Sequence, residues 1–319
     1  DYGGAGGLKT VSVRGLGTQH TGVAYDLIAL SDCQTGQIDL GKLSMENVEN
    51  IRLVTGPSED LLWPARLYSF SNLLIINTHI PDFDKTLHVK AAVTFGDYGL
   101  VSPSIFCENL LKSKYHSDSF VSWNIFANYL HSNGNYPYTL HYGGLADSIS
   151  HERRQNSDVT SCNAEANVRW VMDHTQFLTF KWYYYDSERG LPSATVFYNL
   201  NSSQRLWNRN TFGQLSYNHH FTKWTYLVNT KFNYDFTHYL DPDYLNAVGF
   251  LDNQYRQYEG YLSNTLRFMP FEGDTGRYKN LSFAISNDVI FNQLNANTLI
   301  SAHPQRLSSL TALAFLYKI

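Results

Sequence analysis

From Lys223 to Phe236 the sequence reads KWTYLVNTKFNYDF, and its alternate residues form two rows. One row is Trp224, Tyr226, Val228, Thr230, Phe232, Tyr234 and Phe236; the other is Thr225, Leu227, Asn229, Lys231, Asn233 and Asp235. Side chains of a strand point alternately to its two faces, so one face is aromatic and the other polar throughout. A soluble strand usually has about 5–6 residues. This one is far longer, and only a fold that is dry on one side and wet on the other can use it.

The pattern recurs. In 86–96, Leu87, Val89, Ala91, Val93 and Phe95 alternate with His88, Lys90 and Thr94. In 158–171, Cys162, Ala164, Ala166, Val168 and Trp170 oppose Asn163, Glu165, Asn167 and Arg169. In 176–186, Leu178, Phe180, Trp182 and Tyr184 oppose Thr179, Lys181 and Tyr183. Residues 256–268 and 281–292 repeat it, 119–131 and 205–221 follow less regularly, and 104–114 and 307–317 fit least well. That predicts about ten strands. A tilted strand needs about 9–11 residues to cross a membrane. Tyr, Trp and Phe at the ends of the apolar rows suit the membrane–water interface.

The fold class expected is an all-β dominated membrane protein: a partial transmembrane antiparallel β-barrel, apolar rows toward lipid and polar rows toward a wet lumen. A soluble β-sandwich with the apolar rows pressed together is the competing architecture, and strand length counts against it. Composition agrees with a barrel. Charged residues make up 16% of the 319, and aromatics 15%. No stretch reaches 18 apolar residues, so no membrane helix is expected. A net charge of -4 gives no reason to expect nucleic acid as a partner. The three cysteines, Cys33, Cys107 and Cys162, are widely spaced and make no metal motif. No signal peptide is visible before Asp1, so the chain reads as a mature or cut piece.

Connections alternate in length. Short turns are expected near 172–175 and 219–222, and long loops at 132–157, 187–204 and 237–254. Membrane barrels have short periplasmic turns and longer extracellular loops. Residues 269–279 are long for their place in that alternation. The first 78 residues differ: they are glycine-rich, with short apolar runs broken by turns. About 22 strands are needed to enclose a folded plug, so about ten cannot close around such a segment. An open edge in lipid would leave unpaired backbone groups, so the wall is expected to belong to a larger barrel.

The first segment reads KTVSVRGLGTQHTGVAYDLIAL, then ENVENIRLVTGP, then PARLYSFSNLLIINT. In order and spacing this resembles the plug domain of TonB-dependent outer-membrane receptors. The counterparts are Val13-Arg14-Gly15, Tyr25-Asp26, an acidic helix at Met45 to Asn50, Gly56-Pro57, and Ile75-Ile76-Asn77. The resemblance implies a small mixed α+β plug domain over 1–78, set in the lumen, and a barrel wall over 79–319. Leu27 stands where the family has glycine, so that turn must avoid positive φ or carry strain. Thr55 stands where the family usually has arginine. The loops YYYDSERGLP and LDPDYLN are similar to the cobalamin-receptor-like branch.

The resemblance further implies gated import without covalent chemistry. A scarce ligand, cobalamin-like or a metal chelate, binds at the plug apex and outer loops. TonB and its inner-membrane energising complex pull on the plug, and a surface-exposed lipoprotein is a further partner. Outer-membrane lipid surrounds the wall. No nucleophile elbow, HExxH or Walker loop is present, so no enzyme, cofactor or metal site is expected. A glycan importer and an adhesive or structural barrel are the alternatives.

The plug loop SDCQTGQ offers Asp32, Gln34, Thr35 and Gln37 as hydrogen-bonding groups at the expected apex. Tyr136, Tyr138 and Tyr142 supply rigid amphipathic contact in an outer loop. Asp241 and Asp243 add carboxylates in another, which a Pro-nucleated turn also explains. Arg14 and Arg52 are the expected plug–barrel contacts.

Overall fold

A computed structural model describes residues 7–56, 60–81, 87–116, 118–142, 148–192, 194, 202–272, 280–300 and 303–317. The wall is one antiparallel sheet of ten strands. It begins with β5 (His88–Gly96), β6 (Leu100–Lys112) and β7 (Phe120–Ser132). After an intervening hairpin, β8 (Pro137–Tyr142) and β9 (Ser148–Arg153), it continues with β10 (Val159–Asp173) and β11 (Gln176–Gly190). It ends with β12 (Arg205–Phe221), β13 (Trp224–Asp241), β14 (Leu251–Phe268), β15 (Leu281–Ala296) and β16 (Gln305–Tyr317). Each strand pairs with the next in chain order, apart from the inserted hairpin.

The two faces separate as the rows dictate. On β13, Thr225, Leu227, Asn229, Lys231, Asn233 and Asp235 are buried against the interior, while Trp224 and Phe232 are exposed outward. On β15, Ser282, Ser286, Asp288 and Asn292 are buried and Phe283, Ile285, Val289 and Phe291 face out. Four outward aromatics lie in register across four strands: Trp224, Phe268, Phe283 and Phe315. Ten residues up β13, Tyr234 pairs with Tyr258 at a ring separation of 5.3 Å. Ten residues at about 3.3 Å each, tilted by about 40°, span about 25 Å, the height of a lipid-facing band between aromatic girdles. The sheet is thus a partial transmembrane β-barrel wall.

Inside it sits a four-stranded plug sheet, ordered β2-β1-β4-β3, formed by β1 (Thr21–Tyr25), β2 (Ile28–Ala29), β3 (Val48–Val54) and β4 (Asn72–Thr78). β1 runs parallel to β4 and is buried along its whole length, as its run Gly-Val-Ala-Tyr requires. Gly22 is required there, because a Cβ would lie 2.4 Å from the Phe70 ring. Val23, Tyr25 and Ile76 of the plug pack on Tyr183 and Phe212 of the wall. Trp63, Leu67, Leu73 and Ile75 form a second core cluster within the plug.

β3 is exposed, with Ile51 and Leu53 about half accessible, and so are β5 and the outer residues of β16.

Several expectations change. Met45 to Asn50 form no helix: Val48 to Asn50 belong to β3, paired with Asn77 and Thr78. Asn47 fixes the extended path, donating from Nδ2 to Glu165 while its carbonyl accepts the His79 N–H at 2.9 Å. Asp26 and Leu27 both have positive φ, 49° and 64°. They form the two-residue turn between β1 and β2, the conformation hairpins of this length favour, so Leu27 carries strain where glycine would not. Strands also run further than their periodicity suggested. The loop expected at 237–254 shrinks to 242–250, and 132–157 contains the β8–β9 hairpin. Pro57 and the expected loop residues 143–147 lie outside the described residues.

Candidate functional site

The plug loop from Leu30 to Asp39 folds on its own side chains. Asp32 Oδ1 accepts the N–H groups of Gln34 (2.9 Å) and Thr35 (2.7 Å), and Thr35 Oγ1 accepts that of Gln37 (3.2 Å). Gly36 takes φ 70°, closing the loop. The loop is moored to the wall at one side: Ser31 donates to Glu259, and Cys33 N–H donates to Gln257 Oε1 at 2.7 Å. Burial and the neighbouring Asp32 carboxylate push the Cys33 thiol pKa up, so the sulfur stays a neutral thiol.

Between this loop and β11–β13 lies a cavity of about 210 Å³. The plug contributes Asp32, Gln34, Thr35, Gln37, Asp39 and Lys42; the wall contributes Asn208, Asn210, Asn233, Asp235 and Arg189 among others. These wall residues sit in the halves of their strands nearest the long connections, so the cavity faces that rim. Lys42 crosses its base to Asp235 Oδ2 at 3.3 Å. Burial disfavours the Lys42 charge, but Asp235, Asp39 and Asp32 outweigh it, and the ammonium pKa is raised. The Lys42 carbonyl accepts from Tyr183 Oη (2.5 Å) and Asn163 Nδ2 (2.8 Å). Asn210 Nδ2 donates to Asp235 Oδ2 at 2.9 Å. Three carboxylates (Asp32, Asp39, Asp235) and three cations (Lys42, Lys231, Arg189) line the space, with Lys42 paired to Asp235 and Lys231 paired to Glu259. Its remaining polar groups are mostly amides and hydroxyls, suited to hydrogen-bonding an uncharged molecule.

The structure thus brings Asp32, Gln34, Thr35 and Gln37 to one cavity. The other expected residues lie elsewhere. Tyr136 and Tyr138 form an aromatic group with Tyr98 at the rim, ring centroids 6.2 and 6.5 Å apart. Tyr142 ends β8, and its side chain lies outside the described residues. Asp241 is buried and accepts from Gln204 Nε2 (2.9 Å) and Asp243 N–H (3.2 Å), and Asp243 bonds Ser203. These carboxylates are spent on the turn and line no part of the cavity.

Arg14 and Arg52 meet none of the ten wall strands among the described residues. Arg14 donates to Thr55 within the plug at 3.2 Å, and Arg52 is exposed on β3, which among the described residues pairs with β4 alone. The plug is tied to the wall by other pairs: Lys42–Asp235, Arg66–Glu259 at 3.4 Å, and Asp26–Lys181 at 2.5 Å. Glu259 also meets Lys231 at 2.7 Å. The wall half of the cavity was missed in the sequence. Asn233 and Asp235 were visible in the polar row of KWTYLVNTKFNYDF, yet nothing local said that the row's upper end would face the plug loop.

No protein-family model matches the chain, and no curated protein matches it. Solved structures do. A crystal structure of the ferric enterobactin receptor PfeA (a mutant) from Pseudomonas aeruginosa is 12% identical with a TM-score of 0.61, covering 95% of this chain and 47% of that one. The siderophore receptor PirA from Pseudomonas aeruginosa is 14% identical with a TM-score of 0.59, covering 95% and 46%. The ferric yersiniabactin uptake receptor FyuA from Yersinia pestis is 10% identical with a TM-score of 0.53, covering 97% and 55%. At these identities the likeness is one of fold: the chain spans about half the length of these receptors and shares the fold of that half.

Proposed function

We propose that this chain forms the plug and first wall strands of a TonB-dependent outer-membrane receptor of a Gram-negative bacterium, which imports a scarce nutrient using the proton gradient. The observation that carries the reading is a folded plug bound to a polar wall by three ion pairs, with a cavity at the long-connection rim. The pairs act beside an apolar contact in which Val23, Tyr25 and Ile76 of the plug meet Tyr183 and Phe212 of the wall. TonB and its inner-membrane complex would supply the force, and a surface lipoprotein would deliver cargo.

The cargo favoured by the lining is uncharged overall and rich in hydrogen-bonding groups, because two of the lining cations are already paired with carboxylates and most other polar groups are amides and hydroxyls. A cobalamin-like molecule or a neutral metal chelate meets that description. The amide-rich wall also favours an oligosaccharide, the second reading. The test is uptake of labelled cyanocobalamin, a neutral ferric chelate and a neutral oligosaccharide by cells producing the intact protein. Uptake of one of them that collapses with a protonophore supports the proposal. Recovery of the protein from the aqueous fraction, or uptake indifferent to the proton gradient, overturns it.

A further inference from the structure

A second cavity, of about 370 Å³, lies between the plug and the wall at the short-turn end. On the wall side it is lined by Ser122 of β7, Arg169 of β10, Thr179 of β11 and Ser216 of β12. These four form one cross-strand row: Ser122 pairs with Arg169, Arg169 with Thr179, and Thr179 with Ser216. Directly paired side chains on one face lie about 4.5–5.5 Å apart. The row therefore sets one guanidinium among three hydroxyls.

No carboxylate answers Arg169 among the described residues. Its guanidinium carbon lies 4.1 Å from the centre of the Phe177 ring, which also lines the cavity. The other charges on the lining are placed elsewhere. Asp26 is held by Lys181 at 2.5 Å, His79 meets Glu108 at 2.8 Å, and Glu49 is exposed on β3. Arg169 differs in this from Lys42, Arg66, Lys181 and Lys231, each of which meets a carboxylate. A guanidinium left uncompensated beside a cavity attracts an anion, and its planar fork matches two oxygens of a tetrahedral one.

The uncharged groups narrow the ligand further. Ser122 Oγ and Asn167 Oδ1, both on residues of the lining, are buried without a partner. The network fixes which atom of Asn167 is left over. Asn124 Nδ2 donates to the His79 carbonyl at 2.8 Å, so Asn124 Oδ1 accepts from Asn167 Nδ2 at 2.7 Å. Asn167 then offers the cavity an acceptor. Ser216 Oγ donates to Asn229 Oδ1 at 2.6 Å and keeps only lone pairs for the cavity. Arg169, Ser122 and Thr179 can donate to bare oxygens, whereas Asn167 and Ser216 need a donor from the ligand. An oxyanion that itself carries a proton meets both demands.

We propose that this lower cavity is a binding site for a protonated phosphate group, held by the Ser122–Arg169–Thr179–Ser216 row. Arg169 takes two oxygens, the Ser122 and Thr179 hydroxyls donate to the others, and the P–OH donates to Asn167 or Ser216. The cavity is larger than the phosphate group alone, and the Phe177 ring offers an apolar surface beside it, so a small monoester fits as well as the free ion. Asn50 and Asn77 of the plug line the opposite side, so the bound group bridges plug and wall. The inference stands on the cavity itself and does not depend on the import reading.

The test is calorimetric titration of the intact protein in detergent with inorganic phosphate, glycerol 3-phosphate and sulfate. It is run at pH 6, near the second pKa of a phosphate monoester, where both phosphates still carry a proton and sulfate has none. At least one of the phosphate compounds binds saturably, and sulfate, of the same shape, binds about tenfold more weakly. Tighter binding of glycerol 3-phosphate assigns the site to an ester, and tighter binding of inorganic phosphate to the free ion. Arg169→Gln weakens binding by about tenfold or more, the scale of one charge-assisted hydrogen bond. Thr179→Val, which removes one donor at nearly constant shape, weakens it several-fold and serves if Arg169→Gln does not fold. Arg267→Gln, at the same end of the wall but outside the cavity lining, leaves affinity unchanged. Absence of saturable binding, equal affinity for sulfate, or an equal loss from Arg267→Gln overturns the site. The titration needs neither cargo nor energising partner, so failure of import leaves its result readable.

Discussion

Asp26 Oδ2 lies 2.5 Å from Lys181 Nζ, joining a residue at the tip of a strained plug turn to a lysine buried in the barrel wall. The same carboxylate accepts from Thr78 N–H and Oγ1, both at 2.8 Å. The strained turn therefore aims one side chain at both the last plug strand and the wall. Asp26→Asn should lower stability by about 2 kcal/mol, the scale of a hydrogen bond to a charged group. Thermal melting of the intact protein in detergent measures it. A loss of the same size from Asn77→Ala, which removes a contact within the exposed plug edge, would contradict this ranking.

Glu259 joins plug and wall through four partners. It meets Lys231 at 2.7 Å and Arg66 at 3.4 Å, and accepts from Ser31 and from Asn292 Nδ2 at 3.1 Å. Its side chain and that of Lys231 are both almost fully buried. Removing one partner of a buried pair strands the other charge, which costs about 3–5 kcal/mol. Glu259→Gln should approach that range, whereas Arg66→Ala, at the edge of the network, should cost less. Urea unfolding of the plug followed by tryptophan fluorescence compares the two, since Trp63 lies in the plug core.

Gly22→Ala tests plug packing. The new Cβ would meet three Phe70 ring atoms at 2.4 to 2.7 Å, and β1 is hydrogen-bonded on both sides. Overpacking a tight site costs about 1–3 kcal/mol. Combining it with Phe70→Leu should recover part of the loss, read as a shift in melting temperature. An unaltered melting point for the single variant would show that Phe70 can move at no cost.

The wall was legible because its signal is local. A period of two fixes which face each residue of Lys223–Phe236 occupies, whatever surrounds the strand. Strand ends were less legible, since β13 and β14 continue past the lipid-facing band where aromatic alternation no longer marks them. The plug loop could be located from its neighbours in sequence and its resemblance. Its partners could not: Lys42 meets Asp235 across 193 residues, a contact set by the register of many strands. The helix that the resemblance implied at Met45 to Asn50 is absent because Val48, Ile51 and Leu53 belong to β3, whose pairing with β4 decides the conformation.

Polar residues that look alike in sequence separate by their place around the upper cavity. Gln34 and Asn233 line the space between plug and wall from opposite sides, while Asp243 bonds Ser203 in a turn outside it. For whichever test cargo the intact protein takes up, Gln34→Ala and Asn233→Ala should each weaken equilibrium binding by about tenfold, the equivalent of one hydrogen bond of about 1.4 kcal/mol. Asp243→Ala should leave affinity unchanged and lower only the stability of its turn. The two cavity variants should combine close to additively, because the residues belong to different elements and no hydrogen bond joins them in the resting protein. Titration of each purified variant with the labelled cargo gives the dissociation constants. Equal losses from Asp243→Ala and Asn233→Ala would move the binding site to the outer loops and away from the plug.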